Sequence, residues 1–183
     1  KNGHRHAHWT RETMERATTL FYKTQVYRMQ DGGLTDRLVP KLVQPNLTSV
    51  NTDVMQKVVE RLKKASSTPG EFATLLFEKV NLQQPDQDMS FLLSSYGGVH
   101  LDVIMDVLAY AKVPSQLIKG IFLEDGRRRQ RIDSLVEIVD GDHWLVFNPK
   151  TGHEGLPDNF FIWQRGSESM LDVIGGRNST LEF

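Results

Sequence analysis

Few side chains in this 183-residue sequence are placed to do chemistry, and the type that is missing matters as much as those present. There is no cysteine. That removes thiolate nucleophiles, disulfides and thiolate metal sites together. His4, His6 and His8 alternate, so on a strand they would share one face, which is the geometry of a metal site. No acidic ligand neighbours them, and the expectation is an exposed terminus that holds no metal. His100 and Asp102 follow the pair Gly97-Gly98 at the start of a helical pattern. They either face a ligand or occupy a first turn, where an acid is favoured. Ser94 and Ser95 lack a correctly placed histidine base and read as turn or cap residues. His143 and His153 read as surface or hairpin residues. Arg127, Arg128, Arg129 and Arg131 crowd one turn. They form either a solvated turn or a contact for an anion, such as a lipid headgroup or a carboxylate-rich ligand. If Arg131 and Asp133 share a cleft-facing strand, Arg131 becomes a carboxylate binder. Trp163, with Phe160 and Phe161, reads as core and rim packing that could also stack a ligand at a groove edge.

The elements that must position these groups are legible in the periodicity. Ala17 to Met29 has Leu20, Tyr22, Thr24 and Val26 at period two and reads as a strand, with Ala7 to Thr10 as a short partner. Asp31-Gly32-Gly33 then breaks the pattern, and Leu34 to Asn51, with Pro40 and Pro45, reads as a linker. A helix is predicted from about Thr52 to Ser66, with Val54, Val58, Val59, Leu62 and Ala65 on one face. A second begins at Thr68-Pro69-Gly70-Glu71, which offers an N-cap, a proline at N1 and a capping-box glutamate. Its stripe is Phe72, Leu75, Leu76, Lys79 and Val80, and Pro85 is expected to end it. Met89 to Leu93 leads into the glycine pair. The pair opens a central helix, Val99 to Ala111, that stops at Lys112-Val113-Pro114. Strands follow at Ser115 to Glu124, Ile132 to Val139 and His143 to Phe147, with Asp140-Gly141 as a hairpin turn. Phe160 to Trp163 and Met170 to Ile174 add one or two more.

Composition restricts the function classes. Charged residues make up 25% and the net charge is −1, so nothing draws the whole chain towards nucleic acid or an anionic surface. No apolar run reaches the roughly 20 residues of a membrane span.

The order helix, Pro114, strand, turn, strand, turn, strand resembles a papain-like or transglutaminase-like thiol enzyme. In such domains a cysteine sits at the N-terminus of the central helix, where the dipole favours thiolate. The histidine belongs to a His-Ala-Trp-Val-Glu-Val type run, and the aspartate precedes a proline. Here Val136-Glu137-Ile138 resembles the end of that run, and Asn148-Pro149 resembles the aspartate site. The resemblance therefore implies Gly97 (or Gly98) at the nucleophile position, Asp133 at the histidine position and Asn148 at the aspartate position. None of the three roles of thiol catalysis is filled. The runs LEDGRRRQ, VEIVDGDHWLVFNPKTG and GLPDNFFIWQRG are similar to the inactive transglutaminase domain of a bacterial family fused to seven transmembrane helices. That similarity covers roughly Asp86 to Gly176, and the part before Asp86 fits it only loosely.

The fold expectation is α+β: a transglutaminase-like core of helices packed on an antiparallel sheet. Residues 1–33 would be a β-hairpin from, or leading to, a preceding β-region, and residues 34–183 the degenerate domain. The resemblance implies a periplasmic, non-catalytic ligand-binding or sensor domain of a membrane protein, without cofactor. It would recognise a peptide-like or glutamyl ligand around Gly97, Gly98, His100, Arg131, Asp133, Asn148 and Trp163, and bias the attached helices. The alternatives are a protein–protein interaction module without a small ligand, and an enzyme with non-thiol chemistry through Asp133 and His100.

Overall fold

A computed structural model describes residues 49–171 without a break, and scattered single positions on either side. The chain divides into two compact units, Lys1–Leu38 and Val39–Phe183, and every described element lies in the second. The hairpin expected in residues 1–33 falls outside the described residues apart from single positions, as do His4 and His6.

Four helices precede a four-stranded sheet. Helix α1 (Ser49–Lys64) buries Met55, Val58, Val59 and Leu62, the i, i+3, i+4, i+7 stripe of an amphipathic helix. It starts inside the segment expected to be linker, and Ala65 lies beyond its end. Helix α2 (Pro69–Val80) begins as the sequence predicts. Thr68 Oγ1 accepts from the Glu71 amide at 3.1 Å, and Glu71 reaches back to the Ser67 amide at 2.6 Å. It ends at Val80 with Asn81 as cap, well before Pro85. The Asn81 side-chain amide donates to its own helix at Phe77 O, a last-turn carbonyl that also accepts from the Asn81 backbone amide.

The stretch between Pro85 and the glycine pair, expected to be a lead-in, is a helix in its own right. Helix α3 (Gln87–Ser95) starts where Asp86 Oδ1 accepts from the Met89 amide at 3.0 Å. Its buried face is only Met89 and Leu92, too short a pattern for periodicity to reveal. Helix α4 (His100–Ala111) is the central one, burying Val103, Ile104, Val107, Leu108 and Ala111. Lys112 ends it in the left-handed conformation at φ 61°, and the Val113 amide closes back on Leu108 O.

The sheet contains β1 (Ser115–Phe122), β2 (Arg131–Asp140), β3 (His143–Phe147) and β4 (Phe160–Arg165), in the order β3-β2-β1-β4. All neighbours are antiparallel. No strand forms at Met170, Leu171 or Ile174, the described positions of the last expected strand. Strand alternation gives the sheet two unlike faces. Leu117, Val136, Ile138, Leu145 and Phe147 join the helices in the main core. Phe77 of α2 stacks on Phe147 at 4.6 Å, which fixes helix to sheet. The opposite face carries a smaller cluster of Ile118, Phe122, Leu135 and Phe160, flanked by Val146 and Ile162. This is the α+β arrangement of helices against an antiparallel sheet that the sequence predicts.

Candidate functional site

Gly97 and Gly98 have φ of 63° and 77°, which L-residues rarely adopt. Their backbone role is explicit. The Gly98 amide bonds Leu93 O at 2.8 Å and the Gly97 amide bonds Ser94 O at 3.1 Å. That bond pair is a Schellman closure of α3. The glycine pair thus ends one helix rather than opening the next. Both glycines are exposed, and a Cβ at either would meet nothing within 4 Å. Ser94 and Ser95 turn their hydroxyls onto Ser90 O and Leu92 O of the same helix. His100 begins α4, whose N-cap residue Val99 supplies no side-chain cap, and Asp102 is exposed in the first turn. Behind this corner, Tyr96 donates its hydroxyl to Asp106 Oδ2 at 2.7 Å. Burial first, then the Asp106 hydrogen bond, pushes the phenol above its ordinary range, since both disfavour a phenolate.

Asp133 lies on β2, on the sheet face that carries the smaller cluster. Its side chain is only 8% exposed. It accepts from Arg131 at 3.1 Å, from Lys150 Nζ at 2.8 and 3.0 Å, and from the Ser134 amide at 2.9 Å. Arg131 lays its guanidinium over the Phe122 ring at 4.0 Å, so the fork is oriented before any ligand arrives. Both cations remain more than half exposed, at 51% and 67%.

Asn148 is the piece that delivers Lys150. Its Oδ1 accepts from the Lys150 amide at 2.9 Å, an Asx turn. Its carbonyl accepts from Gly152, and its amide donates to His153 O. Asn81 Nδ2 donates to Pro149 O, and a Cβ on Gly152 would lie 3.2 Å from Phe77 O. The turn therefore rests on the end of α2.

The structure thus brings Arg131, Asp133 and Asn148 together through Lys150. It does not join them to Gly97, Gly98 or His100: no hydrogen bond or ion pair links the two groups among the described residues. Trp163 lies two strands from Asp133, at the irregularity where β4 passes Lys119 and Gly120, with its ring edge-on to Phe161 at 6.2 Å. His143 and His153 are exposed. No group of three or more potential ligand side chains able to hold a metal occurs among the described residues.

Sequence reasoning missed Lys150, although the signal was present. Asp140 pairs with His143, and extending that register places position 150 opposite 133. It also missed Glu137, a fully buried carboxylate on the same face as Asp133. Glu137 accepts from Gln116 at 2.8 Å and from Arg165 Nε at 3.1 Å. Such a group is retained only where charge and hydrogen bonds compensate its desolvation.

Against known proteins, a family model described as inactive transglutaminase fused to 7 transmembrane helices matches residues 1–96. The match covers the part that resembled the family least by motif, and overlaps the motif-bearing stretch only from Asp86. No curated protein and no solved structure matches the chain.

Proposed function

This chain belongs to the family of inactive transglutaminases fused to 7 transmembrane helices, and from that premise we propose that it is a non-catalytic, extracytoplasmic ligand-binding or sensor domain of a membrane protein. Its ligand is a peptide-like or glutamyl compound with a free carboxylate. One observation carries the reading: Arg131 and Lys150 converge on the single, nearly buried carboxylate of Asp133 while staying open to solvent. Two cations against one anion leave about one positive charge at the end of the sheet. A ligand carboxylate placed there gains charge-assisted hydrogen bonds from donors already held in position. Asp133 in this arrangement is an orienting residue. Its engagement with two cations and the Ser134 amide argues against use as a base, and the sequence has no thiol to serve as nucleophile. Ligand binding influences the attached membrane helices only through different affinity for two states of the protein.

The test is a thermal-shift screen of the 183-residue chain against glutamyl dipeptides, cell-wall peptides and free amino acids. A ligand present at about 100 times its Kd adds roughly 2.7 kcal/mol to stability. The proposal expects such a shift, abolished when both cations are removed by Arg131→Gln with Lys150→Gln. A shift that survives that double substitution moves the site elsewhere. No shift with any compound supports the interaction-module reading instead.

A further inference from the structure

We propose that the tip of the β1–β2 hairpin, from Leu123 to Ile132, is a docking surface for an anionic phospholipid bilayer. The inference is independent of the glutamyl ligand, since Arg131 is turned towards Asp133 and Phe122 and is not counted here.

The first observation is the pre-organised shape of the tip. Gln130 closes it with its side-chain amide: Oε1 accepts from the Glu124 amide at 2.7 Å, and Nε2 donates to Glu124 O at 3.0 Å and Arg127 O at 2.9 Å. The loop is therefore held in one conformation without consuming an arginine. The second is how weakly Arg127, Arg128 and Arg129, all exposed, are committed. Arg127 pairs with Glu124 at 2.7 Å. Arg129 reaches Glu182 at 3.2 Å, but the two side chains are 79% and 59% exposed, and such a pair is easily exchanged. Arg128 has no carboxylate partner among the described residues. The third is apolar. Leu123 and Ile132 are 56% and 39% exposed. Because Ile121 pairs with Ile132, alternation sets Leu123 and Ile132 on one face of the hairpin end.

The arginines alone would suit a solvated turn; two exposed aliphatic side chains on one face of the same tip give it an apolar component as well. A bilayer surface suits both kinds of group: guanidinium forks match phosphate oxygens, and aliphatic side chains enter the interfacial layer. The family's 7 membrane helices keep a bilayer close to the domain, so a weak surface contact suffices.

The experiment is co-sedimentation of the 183-residue chain with vesicles of phosphatidylcholine alone, or with about 30% phosphatidylglycerol. Expected is binding to the anionic vesicles only, falling as salt rises. At about five-fold per arginine near an anionic surface, Arg128→Gln with Arg129→Gln should weaken it about 30-fold. Leu123→Ser should weaken it further, with unchanged circular dichroism. Glutamyl binding should be untouched by all three substitutions. Absence of sedimentation with anionic vesicles, equal binding to neutral vesicles, or an unaffected double variant would each overturn the proposal. So would full release by millimolar inorganic phosphate, which would identify a small-anion site rather than a bilayer surface.

Discussion

Removing the cation from Glu137 is the perturbation whose size the structure defines best. The Glu137 side chain is 1% exposed and its Oε2 lies 3.1 Å from Arg165 Nε, with Gln116 donating to the same oxygen at 2.8 Å. Breaking a fully buried pair by removing one partner costs about 3–5 kcal/mol, because the other charge is left buried. Two features reduce that here. Arg165 is 35% exposed, so water screens part of the attraction. Gln116 also stays in place after Arg165→Met. The expected cost is about 2 kcal/mol, a fall in Tm of roughly 6 °C for a unit of this size. Glu137→Gln alone should cost somewhat less, since Gln116 can rotate its amide to meet it. In the double variant neither charge remains, so urea denaturation should show less destabilisation than the sum of the singles, by at least about 1 kcal/mol. Additive losses to within about 0.5 kcal/mol would refute the claim that this pair shares its burial cost.

Three further outcomes follow from local geometry. Gly120→Ala should destabilise by about 2–4 kcal/mol in chemical denaturation, because its Cβ would lie 2.4 Å from Phe161 O, a backbone atom that cannot swing aside. Lys112→Gly should raise stability by roughly 0.5–1 kcal/mol, since Lys112 carries the left-handed helix end at φ 61°, and a calorimetric scan reads this directly. Asp86 is held below its ordinary carboxylate range, first by the Met89 amide, then by Arg61 and Lys79, with burial opposing. A depressed folded value means a stabilising contribution complete above the unfolded value near 3.8 and lost as pH falls through the folded one. Asp86→Ala should therefore cost about 1 kcal/mol at neutral pH, and the gap from the parent should close in acid titrations.

The parts of the fold written in local chemistry were legible. The Thr68-Pro69-Gly70-Glu71 start, the stop at Val113-Pro114 and the three alternating strands follow from caps, proline and period two. Helix α3 was not, because Pro85 looked like the end of α2 rather than the approach to an Asp86 cap, and two buried residues make no stripe. The glycine pair was assigned to the wrong helix for the same reason: without α3 there was nothing for it to close. At the site, Arg131, Asp133 and Asn148 were each singled out, but their link through Lys150 depends on register across a hairpin, which residue types alone do not display. Glu137 entered the sequence reading only within the run Val136-Glu137-Ile138, which says nothing of its burial. Its buried charge is paired with Arg165, which is remote in sequence and adjacent only once β4 pairs with β1.

The central claim is that Arg131 and Lys150, anchored by Asp133, hold a ligand carboxylate without turning the ligand over. Calorimetric titration of γ-glutamylglutamate into the 183-residue chain, with the recovered ligand analysed afterwards, tests it most directly. The account predicts saturable heat, affinity at least about ten-fold weaker in Arg131→Gln and in Lys150→Gln, and intact dipeptide throughout. Equal affinity in the parent and both variants, or cleavage of the dipeptide, would contradict it.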